Sequence, residues 1–339
     1  MDQICRAALY GWIIGDALGV SFRNKTPDEA IAILSSRAWA ECDLLGDENS
    51  NIAPGDFSNN IVIGLEILSS LIQNGVYDQK DMVPMYHEII SPSSSGKRET
   101  KRDQLIKHAG HGNHQSISND FLTRIPPLII YYVKNQRSPD LLLTALKEDL
   151  QLTHSHPDLL PISIHYANIL RLSIETRDPI IVFKYAMNLY TDSPHNLIPL
   201  NDSQLNIIMT INDHIFKNTL ETTITYQSYY QIFPNAKKSR NSVLDTYKSL
   251  ICCLHLGKDT SDTLLSTAAL GGDAHSNCAV IGAVIVVLCR PDRIYQNPIN
   301  HIPTTWILSL MIEGDATKIK DGRRLSTSRN LKSWQKLIF

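Results

Sequence analysis

The chain has 339 residues, 43% of them hydrophobic, with 32 basic and 34 acidic side chains and a formal charge of -2. That length buries a sizeable core. The near-balanced charge, with no clustered basic excess, excludes an electrostatic grip on nucleic acid or on an anionic membrane.

Read from the start, Met1-Asp2-Gln3-Ile4-Cys5-Arg6 lacks the basic start and uninterrupted apolar stretch of a signal peptide. A cytoplasmic protein, of the producing cell or of a host, is therefore expected. From Ile4 to Leu18 apolar residues recur at Ile4, Ala7, Ala8, Trp12, Ile14 and Leu18, the spacing of a buried helix face. Ile61, Ile63, Leu65, Leu68, Leu71 and Ile72 predict a second helix that stops near Asn74-Gly75. Further helices are predicted over 121–134, 139–149, 158–173, 179–190, 202–217, 241–256, 260–270 and 276–289. Segments 91–117 and 191–201, rich in Ser, Pro, His and Asn, read as loops. Ile224 to Ile232 has some β-type residues but no hairpin partner. The longest apolar run, Cys278 to Cys289, is about twelve residues and contains Gly282; a membrane span needs roughly twenty. The six cysteines form no Cys-x-x-Cys pair and sit mostly in apolar runs, as buried free thiols do. An all-α fold in one domain, 1–339, is the expectation, with no membrane and no nucleic-acid partner.

Polar residues crowd three helix starts: Gly55-Asp56-Phe57-Ser58-Asn59-Asn60, Thr153-His154-Ser155-His156-Pro157-Asp158, and Gly271-Gly272-Asp273-Ala274-His275-Ser276-Asn277. A helix N-terminus offers unpaired N–H groups and partial positive charge, and Ser58 is a good cap. Each segment alone reads as capping. His108, His111 and His114 form a second candidate, since three closely spaced imidazoles can hold Zn²⁺; Gly110 and Gly112 favour a loop instead. No P-loop, Rossmann fingerprint or Gly-x-Ser-x-Gly elbow occurs.

Taken in order, the segments resemble the ADP-ribosylglycohydrolase family. Gly15-Asp16-Ala17-Leu18-Gly19 is similar to its opening-helix signature, and Ser58-Asn59-Asn60 falls where the family has Thr-Asp-Asp. Ser118-Asn119-Asp120-Phe121, leading into Arg124-Ile125-Pro126-Pro127, resembles its Asn-Gly segment. Thr153-His154 resembles its Thr-His pair, and Gly271 to Asn277 its Gly-Gly-Asp-Ala-Asp-Thr-Asn motif. The resemblance spans about residues 4–290. It implies a compact bundle of helices with two central Mg²⁺ ions that orient ADP-ribose and support cleavage of its bond to an acceptor. Such a pair needs hard oxygen ligands and several carboxylates.

The departures fall on the chemistry. The remnant metal set is Ser58, Asn59, Asn60, Asp273, His275 and Ser276, in which two amides and an imidazole replace aspartates; imidazole suits zinc, copper or nickel better than magnesium. Arg23 aligns where many members place a Glu facing the reacting ribose, and Asp120 and Phe121 stand where a Gly lets backbone approach the phosphates. Pro92-Ser93-Ser94-Ser95-Gly96 loses another aspartate. The ligand-binding candidates are Ser118, Asn119, Asp120, Phe121, His154 and Arg23.

At the old cation site three arrangements are open. Arg23 could pair with Asp273 in place of the metals, the helix starts could accept an anion, or the polar groups could merely satisfy each other. Three functions follow. The chain is an impaired or inactive homologue that binds an ADP-ribose-like nucleotide or ADP-ribosylated protein with no cofactor. Or it is an active hydrolase with an altered or single-metal site, using Mg²⁺ if the family site still functions. Or it is a structural interaction module.

Overall fold

The computed structural model describes residues 1–36, 44–50, 52–90, 116–188, 197–217, 242–257 and 260–289. Among these the regular structure is helical: α1 (Asp2–Val20), α2 (Pro27–Leu34), α3 (Asn59–Asn74), α4 (Gln79–Ile90), α5 (Asp120–Arg124), α6 (Pro126–Lys134) and α7 (Pro139–Thr153). There follow α8 (Leu159–Thr176), α9 (Pro179–Ala186), α10 (Asp202–Lys217), α11 (Val243–Leu256), α12 (Thr260–Ala268) and α13 (Ala274–Leu288).

α13 is the buried axis. All its residues are buried, and a helix apolar on every side belongs in the middle of a domain. α1 runs antiparallel against it along a stripe of small residues. Gly11 faces Gly282, Gly15 faces Cys278, and Gly19 faces Ala274 and His275; a Cβ on any of the three would overlap the facing backbone. Without side chains between them the two backbones touch, and this brings Asp16 of α1 to the N-terminus of α13.

Two apolar clusters flank this seam. The larger joins Trp12, Ile61, Leu128, Tyr166, Leu250 and Val284; the smaller joins Leu18, Phe22, Ala30, Leu264 and Cys278. Phe57, just before Ser58, packs against both. Trp12 Nε1 donates to the Thr123 carbonyl at 2.7 Å, fixing α5 over α1.

The helix predicted over 121–134 is two. Pro126 has no N–H to continue α5, and its ring crowds the preceding turn, so α5 ends at Arg124 and α6 begins at Pro126. α2 and α4 are additions to the sequence reading. α2 opens with a capping box of Thr26 and Glu29 and has Pro27 at its first position; α4 carries Pro84 inside it, which masks its periodicity. Thr153-His154 is corrected as well. Thr153 ends α7 and His154 is its C-cap, while α8 starts at Leu159. Cys5, Cys252, Cys253, Cys278 and Cys289 are free thiols. No helix among the described residues is long and apolar enough to cross a membrane.

Candidate functional site

Three chain segments meet where α1 ends. The first is Asp16, fully buried. Its two carboxylate oxygens accept from Ser58, from the backbone N–H at 2.6 Å and from the hydroxyl at 2.7 Å. Ser58 Oγ in turn accepts from the Asn60 N–H at 3.3 Å, so Ser58 caps α3 and anchors it to α1. Asn60 is buried and Asn59 exposed. Asn60 Nδ2 donates to Asp120 Oδ1 at 3.2 Å, and Ser118 Oγ donates to Asp120 Oδ2 at 2.8 Å.

The second segment is the start of α13. Asp273 occupies the N-cap position but makes no side-chain cap bond. Its carboxylate lies 2.8 Å from His275 Nδ1, with both side chains 6% exposed. The contact is an ion pair rather than an aligned hydrogen bond, since Nδ1 has no partner of hydrogen-bonding geometry. Next to it, Ser276 Oγ is buried without a partner. Burial pulls the His275 pKa down. The Asp273 charge and contact, with the Asp16 charge, outweigh that and raise it above the usual histidine value, while Arg23 opposes them. Burial raises the Asp16 pKa, against the charge of His275 and the two bonds from Ser58.

The third segment is the turn after α1. Asn24 N–H donates to the Gly272 carbonyl at 2.7 Å, and Gly272 N–H to the Lys25 carbonyl at 2.9 Å. Gly271, at φ +64°, takes a left-handed conformation beside Lys25, where a Cβ would overlap the Lys25 carbonyl. Arg23, at the start of this turn, lies within electrostatic reach of His275. Its Nη1 donates to Ser50 Oγ at 3.3 Å, and Ser50 donates to Asp47 at 2.6 Å. Of the arrangements the sequence left open, His275 rather than Arg23 stands beside Asp273, because it shares a helix turn with it.

The remaining ligand candidates are mostly interior. Asn119 donates to Thr246 Oγ1 at 2.8 Å, and Thr246 to Asn277 Oδ1 at 2.6 Å, a buried chain from α5 through α11 to α13. The Phe121 ring is buried against His154, with centroids 5.3 Å apart. Arg124 Nη2 donates to Thr153 Oγ1 at 2.8 Å, and Thr153 Oγ1 lies 2.7 Å from His154 Nδ1. Thr153 Oγ1 thus joins the guanidinium to the imidazole. Sequence reading missed Asp149, Thr246 and the bonds made by Asp16; no local pattern marks them. The three histidines at 108, 111 and 114, and Pro92 to Gly96, lie outside the described residues.

This donor set does not fit a pair of Mg²⁺ ions. Such ions demand near-octahedral oxygen shells and carboxylate charge. Here Asp16 is occupied by Ser58, Asp273 by an imidazole, and Asn60 ties to Asp120. Among the described residues no three His, Cys, Asp or Glu side chains group to hold a metal ion.

An all-helical bundle with a polar cluster gathered where α1, α3 and α13 meet has the architecture of the ADP-ribosylglycohydrolase fold. A solved structure, an ADP-ribosylglycohydrolase-related protein complex, superposes with a TM-score of 0.60 at 17% identity, covering 85% of this chain and 87% of that one. That likeness concerns the fold. The ADP-ribosylglycohydrolase family model matches residues 2–321, and the chain belongs to that family. A protein of Acanthamoeba polyphaga mimivirus named as an ADP-ribosyl glycohydrolase, L543, is 25% identical over 318 residues, covering 90% of each chain.

Proposed function

We propose that this chain is a family member that binds an ADP-ribose-like nucleotide, free or carried on a protein, without the family's paired Mg²⁺ and without metal-dependent hydrolysis. The observation that carries the reading is the buried Asp273–His275 ion pair. It places a cation side by side with the remaining acid of the second metal motif. Amides at 59 and 60 supply no charge to offset a dication, and Asp16 has both oxygens engaged by Ser58. A dication entering here must displace those bonds and sit beside the imidazole and Arg23. The family motifs support a nucleotide ligand, and the order of those motifs is intact.

Calorimetry with ADP-ribose, with and without Mg²⁺, together with release of ADP-ribose from modified arginine and serine peptides, tests this reading. Binding that ignores Mg²⁺, with no release, is the expected result. Mg²⁺-dependent release would make the chain a working hydrolase. Absence of any nucleotide binding would leave an interaction module and overturn the ligand.

A further inference from the structure

We draw no further inference here: the strongest candidate, the side-chain cluster between α8, α10 and the C-terminal end of α9 in which His165 Nε2, Asn188 Nδ2 and Asn212 Oδ1 are buried without a hydrogen-bond partner, carries nothing because nothing in the structure shows that the three atoms face one cavity or what would occupy it.

Discussion

Among the described residues, the ion pairs Arg124–Asp149 and Asp273–His275 have both partners buried, and they differ in how completely they are closed. Asp149 accepts from Arg124 Nε at 2.9 Å and from Tyr77 Oη at 2.9 Å, while Arg124 Nη2 reaches the Asp149 carbonyl at 3.0 Å and Thr153 at 2.8 Å. That network ties α5 to α7 and to the loop before α4. Asp273 and His275 are as close, at 2.8 Å, but poorly aligned, with an orphan Ser276 hydroxyl beside them and a second carboxylate, Asp16, within electrostatic reach. A pair that satisfies its own valences holds a fold together. A pair left open at the convergence of three segments leaves polar capacity unused there.

Removing one partner from the closed pair gives the largest effect. Asp149→Ala leaves a buried guanidinium uncompensated and lowers stability by about 3–5 kcal/mol, seen as a lower urea midpoint that Mg²⁺ does not restore. The open pair responds to ions instead. The triple change Asn59→Asp, Asn60→Asp, His275→Asp restores the family's carboxylates and is expected to gain Mg²⁺-dependent stability, about 2.7 kcal/mol when Mg²⁺ exceeds its Kd a hundredfold. Thermal melting against Mg²⁺ measures it, and a flat response would show that the scaffold around the site has also changed.

A third buried group, with no counter-ion, sharpens the contrast. His165 is fully buried, stacks on Tyr185 at 4.9 Å, and meets the Tyr247 hydroxyl through Nδ1 at 2.9 Å. Burial pushes its pKa down to about 3. The unfolded chain takes up a proton below about pH 6.5 and the native one does not until about pH 3. Its contribution to stability is therefore complete above pH 6.5 and is lost as pH falls, at up to about 1.4 kcal/mol per pH unit. Urea melts of wild type and His165→Phe across pH 5 to 7 should show that slope shrink in the variant. The smallest effect belongs to His275→Gln, about 1–2 kcal/mol at pH 7, because a glutamine amide can still donate to Asp273. A loss as large as that of Asp149→Ala would erase the distinction between the two pairs.

Local features of the fold are legible in the sequence because their partners lie within a turn. Ser58 capping α3 and the stop at Gly75 are examples. The order of the polar motifs identifies the family because each motif is short and complete in itself. The site's internal economy is less legible. Asp16 reads as a structural signature residue, yet it binds Ser58 across 42 positions. Asn119 reads as a ligand contact, yet it holds Thr246 across 127. The sequence leaves open whether Arg23 pairs with Asp273, but the two-residue spacing of Asp273 and His275 on one turn brings the imidazole to Asp273. Such choices depend on which helices meet, and that is set by the close approach of α1 to α13.

The replacement of the metal centre is tested most directly by equilibrium binding of Mn²⁺, a paramagnetic stand-in for Mg²⁺, to the unmodified chain, read by electron paramagnetic resonance. A cluster whose acid is paired with an imidazole and whose amides bring no charge is expected to give no coupled pair of bound ions at millimolar Mn²⁺. Two ions per chain with the spectrum of a coupled pair, lost on Asp273→Asn, would contradict it.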